Sequence, residues 1–468
     1  MRSATGTCVL MLGAAAAGCS LLVASPDDYT YDLTDGAAPA RDAGPDAAPL
    51  PDAAADGAVP PDASPDGGPD AGCVGAEQAC GGACVDVQTD LSHCGRCDRA
   101  CPERWSCRDS DCHDDVVSVS TAPSHTCAAL ASGAVFCWGK NETGQLGTGD
   151  FEDSLVPRRV VGIDDVTSVS VAGNTFGGWT GTSCATRRSG EVWCWGRNDR
   201  GQVGDGTLAP QNRPVRVTGV TAAVSVHTAF GYACARLSAN PRIRCWGAFR
   251  NVAEPPTVDL EATQVSGVPL QPVSQLTTSD GHACFTTSGQ VYCWGRNQMG
   301  QLGDEGPSRD IAFPVSELVG VVQISSTSFG TCARLDGGEV RCWGRSDLLG
   351  VGRVEMVSEH EPQLVIGEAA GLFGGPASLT TYAVGGASQV LYWGLDQPHF
   401  AAAMELRTVA RPNAYVEIEG LSDISVGLSH ACSLHAGRVA CWGSNAAGQL
   451  GDGTMEPRTA PTLVVPFP

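Results

Sequence analysis

The chain has 468 residues with 51 acidic against 29 basic side chains, 22 cysteines and 59 glycines, which is too long for one ordinary core and too glycine-rich for a helical one. A net charge of -22, with Lys140 the sole lysine, is repelled by phosphate backbones and sets nucleic acid aside as a partner. Much of the acidity lies at the front, where residues 1–115 hold 20 acids and 6 bases.

Met1-Arg2-Ser3 give a thin positive start, and Cys8 to Ala17 form an apolar stretch of signal-peptide length, too short to span a bilayer. Small residues then precede a cysteine in Ala16-Ala17-Gly18-Cys19, which resembles the lipobox of bacterial lipoproteins. The resemblance implies a signal peptide over 1–18 and lipidation at Cys19. With Ser20 next, it also implies an outer-membrane or cell-surface location, held to the membrane through the lipid. An ordinary secretory signal cut nearby is the alternative, and both readings export the chain.

Residues 19–72 read as lipid anchor and disordered linker. From Asp35 to Gly72, 34 of 38 residues are Ala, Asp, Pro or Gly, with no aromatic residue, so too little apolar surface is available to offset chain entropy. Eight prolines stiffen the segment toward polyproline II. Residues 73–115 then carry Cys73, Cys80, Cys84, Cys94, Cys97, Cys101, Cys107 and Cys112, a density that replaces a hydrophobic core with cross-links. His93 beside Cys94-x-x-Cys97 raises zinc, but a single C-x-x-C in an oxidising compartment favours four disulfides, their connectivity open. The run resembles Cys-rich modules in exported proteins of large-genome soil bacteria, and that resemblance implies no activity.

Over residues 116–468 a Trp-Gly pair recurs at Trp138, Trp195, Trp246, Trp294, Trp343, Trp393 and Trp442, at a spacing of about 50 residues that marks one supersecondary unit per repeat. Each unit begins with a valine-rich alternating run such as DDVTSVSV (164–171), followed by a short strand ending near a cysteine. A tight turn, a strand ending C-W-G and a Gly-rich stretch such as GQLGTGD (144–150) or GQLGDGT (448–454) complete it. Period-two Val, Ile and Thr with Gly-Asp turns are strand signals, and no segment offers a long helical stripe. The expected fold is all-β, a seven-bladed β-propeller whose closed ring leaves few exposed edges. A P-x-x-V strand precedes the alternating run at Pro157–Val160, Pro214–Val217 and Pro362–Val365, yet none precedes Val116. The tail at Pro461–Val464 is therefore expected to close the ring by pairing with the blade that starts at Val116.

The recurring G-x-x-H-x-C-A-L, G-x-V-x-C-W-G and G-Q-L-G-x-G elements resemble the regulator-of-chromosome-condensation repeat. That resemblance implies a seven-bladed propeller and protein binding through variable loops on one face. Blades three and six lack G-Q-L-G, and blade five keeps only Leu349-Gly350-Val351-Gly352. The family's eukaryotic namesake exchanges nucleotide on a small GTPase and contacts chromatin, roles that export and acidity argue against here. A secreted β-lactamase inhibitor protein built on the same repeats is a closer analogy.

Six repeats carry paired cysteines: Cys127 with Cys137, Cys184 with Cys194, Cys234 with Cys245, Cys284 with Cys293, Cys332 with Cys342, and Cys432 with Cys441. A two-residue Ser288-Gly289 loop in blade four puts its cysteines opposite each other in a non-hydrogen-bonded pair, where Cα atoms approach to about 4.5 Å. Blade six changes both positions together, to Tyr382 and Tyr392, as a bonded pair requires. Six intra-blade disulfides follow. With Cys8 removed and Cys19 lipidated, no thiol is left over.

His125, His282 and His430 stand two residues before a blade cysteine; blades one, four and seven are not all neighbours, so strand histidines are favoured over a metal site. The seven repeat tryptophans read as blade anchors, while Trp105, Trp179 and Trp193 fall off that register and are contact candidates. No nucleophile elbow, zinc motif, phosphate loop or paired-carboxylate constellation emerges. The resulting expectation names no catalytic residue, metal or cofactor. It is a monomeric, non-enzymatic, lipid-anchored surface platform for an unknown protein, or for an envelope or glycan ligand. A carbohydrate-binding or adhesion propeller, an enzyme inhibitor, and a propeller lyase or hydrolase with a polar channel cluster are the alternatives.

Overall fold

The structure is a computed structural model that describes residues 73, 77–173, 179–250, 257–395 and 408–467. The expected signal peptide, Cys19 and the expected linker lie outside the described residues.

The Cys-rich module contains two small hairpins, Glu77–Cys80 with Ala83–Asp86 and Ser106–Arg108 with Asp111–His113. Four disulfides join Cys73 to Cys84, Cys80 to Cys97, Cys94 to Cys107 and Cys101 to Cys112. Hairpins this short have no hydrophobic face to bury, so the covalent links take over the role of a core.

The remainder forms seven four-stranded antiparallel sheets, each built from strands consecutive in the chain. Blade one comprises Val116–Thr121, His125–Leu130, Val135–Gly139 and Ser154–Arg159, and the other six repeat that order. The first strands neighbour one another around the ring and so line its centre. Their alternation has two uses. Val116 and Val119 are buried between blades, while the intervening Ser118 and Ser120 hydroxyls accept the Val169 and Val171 N–H groups of blade two at 3.2 and 3.0 Å. Ser170 accepts Thr228 N–H at 2.9 Å, Thr277 accepts Ser326 N–H at 3.2 Å, and Ser425 of blade seven accepts Thr121 N–H of blade one at 2.9 Å.

That last contact bears on ring closure, where the structure departs from the sequence expectation. Strand Arg458–Leu463 pairs with Arg438–Gly443 of blade seven, with Cys441 opposite Thr462, and does not join the blade that starts at Val116. The P-x-x-V segments are fourth strands of the blade they follow, as Cys137 opposite Arg158 shows for blade one. In blades one, two, four and seven the Gly-rich stretch after C-W-G turns the chain back along the strand it has just left, and in all seven sheets the fourth strand pairs with the third, so every blade is complete in itself. The ring closes through an interface of the ordinary inter-blade kind. Val116, Val119, Phe136 and Trp138 pack with Leu434, Val439, Leu450 and Val464, and Phe467 lies against Phe136 at 5.4 Å between ring centroids.

Candidate functional site

The six cysteine repeats each place their two residues as direct register partners across the second and third strands of the blade, with Cα atoms 4.0–4.1 Å apart. Disulfides join Cys127 to Cys137 in blade one, Cys184 to Cys194 in blade two and Cys234 to Cys245 in blade three. They also join Cys284 to Cys293 in blade four, Cys332 to Cys342 in blade five and Cys432 to Cys441 in blade seven. Tyr382 and Tyr392 occupy the same register in blade six, ring centroids 6.2 Å apart. With the four of the module, these disulfides fit an extracellular or secreted protein. Among the described residues, two groups of three metal-capable side chains lie within reach of one another: Cys94, Cys101 and Cys112, and Cys73, Glu77 and Cys84. Their cysteine sulfurs are already bonded in disulfides.

The seven repeat tryptophans are 0–1% exposed. Each indole N–H of Trp138, Trp195, Trp246 and Trp343 donates to a Gln carbonyl of the preceding blade, Gln449, Gln145, Gln202 and Gln301, at 2.9–3.0 Å. The G-Q-L-G element is thus an inter-blade lock. Its leucine or valine (Leu146, Val203, Leu302, Leu450) is fully buried. A Cβ on its last glycine would lie 2.6–2.8 Å from the next indole at Gly147, Gly204 and Gly451, all at positive φ. The glycine after each tryptophan is equally constrained: at Gly139 or Gly443, φ +104 and +112, a Cβ would collide with the carbonyl of Ser124 or Ser429.

One structural residue escaped the sequence reading. Asn141, Asn198, Asn297 and Asn445, third after the tryptophan, donate to loop carbonyls at 2.7–3.1 Å and accept the N–H of the buried Leu or Val at 2.9–3.0 Å. The signal was present, since W-G-x-N occurs in the blades that keep G-Q-L-G. The loop aspartates Asp150, Asp304 and Asp452 pair with Arg158, Arg309 and Arg458, so they serve the loop and are not free as cation ligands.

The three histidines each reach the next blade. His125 Nε2 meets Ser183 Oγ at 3.0 Å, His282 Nε2 meets Thr331 Oγ1 at 2.7 Å, and His430 Nε2 meets Thr126 Oγ1 at 2.8 Å. Burial pushes all three pKa values down to about 3, so the rings are neutral. At the channel, first strands supply His227 and Asp423. Burial lowers the His227 pKa to about 4, with Arg236 adding to the shift, and burial raises that of Asp423 to about 6. His227 Nε2 contacts Ser225 Oγ at 3.0 Å, but Arg236 Nε also donates to that hydroxyl at 3.3 Å. A ring of such low basicity beside a guanidinium is poorly suited to take a proton from serine.

Two surfaces remain. Loops between the first and second strands share one face with those after C-W-G. There Lys140 lies over Trp179 at 5.1 Å, Arg197 and Arg200 over Phe230 at 5.1 and 4.8 Å, and Arg345 over Phe329 at 5.0 Å. Trp179 is 41% exposed. Trp193, by contrast, donates to Glu191 at 3.3 Å under Arg187 and is already engaged. On the opposite face the module docks: Arg108 donates to the Ala436 carbonyl at 2.6 Å, and Arg104 pairs with Asp165 at 3.3 Å. A cavity of about 990 Å³ opens along this seam, with Trp105 in its wall.

A family model described as the regulator of chromosome condensation (RCC1) repeat matches residues 132–176, 189–235 and 288–334, and a second of the same description matches 116–145, 166–202, 273–301 and 321–348. The stigma-specific STIG1-like protein family matches residues 62–115. Human E3 ubiquitin-protein ligase HERC2 is 30% identical over 196 residues, 41% of this chain and 4% of HERC2. The ultraviolet-B receptor UVR8 of Arabidopsis thaliana is 28% identical over 220 residues, 45% of this chain and 48% of UVR8. The chain therefore spans less than half the length of either relative. Yeast RCC1 (Prp20), crystallised with Kap60, superposes with a TM-score of 0.60 at 19% identity, covering 76% of this chain and 86% of its own, a likeness of fold. The Prp20p structure from Saccharomyces cerevisiae gives the same score over 72% of this chain and 86% of its own. The RCC1 repeats matched between residues 116 and 348 thus lie within a seven-bladed β-propeller whose fold is similar to that of the yeast structures.

Proposed function

We propose that the protein is a non-enzymatic interaction platform, exported, lipid-anchored through Cys19 and held off the membrane by its acidic linker, with the propeller displayed to bind a protein partner. The observation that carries this reading is the loop face. Trp179 is 41% exposed beneath a lysine, while the repeat tryptophans are buried, and Arg–Phe pairs follow between blades two and three and again in blade five. Aromatic and arginine side chains are the residues enriched where proteins dock. The yeast relative supports a propeller in this role, having been crystallised with Kap60 and studied for binding to Gsp1p and histones. Proximity labelling from intact cells tests the reading. A set of labelled proteins absent from a released control, and reduced by Trp179→Ala, is the expected result; labelling no richer than the control would sink it.

A further inference from the structure

The seam between module and propeller carries a second site, independent of the loop face. Its cavity of about 990 Å³ is walled by Trp105, Phe136, Val439, Val464, Pro466 and Phe467, and it lies at the upper end of the ~300–1,000 Å³ usual for ligand sites. It is open along one side, which suits a chain that enters and leaves better than an enclosed small molecule.

Charge selects the occupant. Arg108 pairs with Asp115 at 3.0 Å and Arg159 with Asp164 at 2.8 Å, while the Asp114 carboxylate accepts the Ser132 N–H at 2.8 Å. Asp114 and Arg438 are thus the lining charges without an ion pair among the described residues, and of the two Arg438, exposed at the start of strand Arg438–Gly443, has no side-chain hydrogen bond either. Arg108 Nε is buried with no acceptor among the described residues. The two groups with no hydrogen-bond partner, the Arg438 guanidinium and Arg108 Nε, are both cationic donors, although the chain as a whole is strongly acidic. The walls are also stiff before any ligand arrives. Cys94–Cys107 and Cys101–Cys112 brace the module side, and Cys432–Cys441 braces the hairpin that carries Arg438, so little ordering cost falls on binding.

We propose that this groove receives an extended peptide segment with apolar or aromatic side chains and one carboxylate, the side chains against Trp105 and Phe467 and the carboxylate on Arg438. The full chain, immobilised with its disulfides intact, is panned against a randomised octapeptide phage library. The expected consensus combines apolar or aromatic positions with one Asp or Glu. The selected peptide should lose at least tenfold in affinity when its acid is replaced by the amide. It should lose a similar factor on Arg438→Gln, a surface change that leaves the melting temperature in place, and Trp105→Ala should weaken the acid and amide peptides alike. No enriched sequence, a consensus without an acid, or equal affinity for wild type and Arg438→Gln would overturn the proposal. Binding of decanoate to a groove that enriches no peptide would overturn it in favour of a lipid site.

Discussion

Blade six and its neighbours solve the same packing problem with different chemistry. Blades one, two, four and seven each combine a hairpin disulfide, an Asn-pinned loop and a Gln carbonyl offered to the next blade's tryptophan. Blade six keeps Trp393-Gly394 but puts Tyr382 and Tyr392 in the cysteine register, and these pack with Tyr415 and Trp442. Trp442 has the Tyr382 hydroxyl at 3.4 Å in place of a Gln carbonyl. One blade earlier, blade five lacks the Gln, and the buried Trp393 Nε1 has no acceptor among the described residues. Loop and tryptophan therefore work as a unit across these boundaries: losing the Gln in blade five strands the indole of blade six, and losing the loop in blade six leaves a tyrosine hydroxyl to meet the indole of blade seven.

Acid should separate the blades most strongly. A buried histidine whose folded pKa lies near 3 contributes stability that is complete above its unfolded value of about 6.5 and is lost as pH falls toward the folded value. Each contributes a slope of up to about 1.4 kcal/mol per pH unit. His227 acts in the same direction, whereas Asp423, raised to about 6, favours folding in acid and offsets one of them. Urea midpoints should fall between pH 6.5 and 4. Hydrogen exchange should show blades one, four and seven opening before blade six, which has Thr380 at the histidine register. Uniform opening would break the comparison.

Removing a covalent clamp comes next. Cys127→Ala with Cys137→Ala should cost ~2–3 kcal/mol by chemical denaturation, the scale for a loop of this size. Tyr382→Cys with Tyr392→Cys tests whether blade six retains the geometry of a clamp. Mass mapping should find the new disulfide, yet the protein should melt lower, because two buried aromatic volumes are lost at ~3–5 kcal/mol each for full truncation. Free thiols would show that the register is not equivalent.

The finest test compares two Trp→Phe changes. Trp246→Phe takes from the Gln202 carbonyl its indole donor and should cost ~1–2 kcal/mol more than Trp393→Phe, which removes a donor that has no acceptor among the described residues. Equal melting temperatures would dissolve the idea that the G-Q-L-G carbonyl locks the ring.

The repeat made most of the fold legible. Seven Trp-Gly pairs at a steady interval gave the blade count, and the turn lengths around Ser288-Gly289 and Ala436-Gly437 gave the cysteine register, because a hairpin of fixed loop length has one pairing. The fourth strand was misassigned because a P-x-x-V segment carries no mark of which neighbour it will pair with. The groove was illegible for a related reason. Trp105, Phe136, Arg438 and Phe467 come from four distant stretches of chain, and Phe136 and Arg438 occupy variable positions of the G-x-V-x-C-W-G element, where the repeat says nothing about them.

Local chemistry therefore settled what depends on nearest neighbours in the chain: strands, turns, hairpin disulfides and the glycine-bounded loops. Tertiary structure alone decided what depends on which surfaces meet. It completed blade seven with its own tail, let Ser425 of blade seven close the ring onto Thr121, and placed the Cys-rich module over the seam to form a groove. The last two rest on packing between segments hundreds of residues apart, and the first on a choice between two neighbouring blades, energies that no local pattern of residues records.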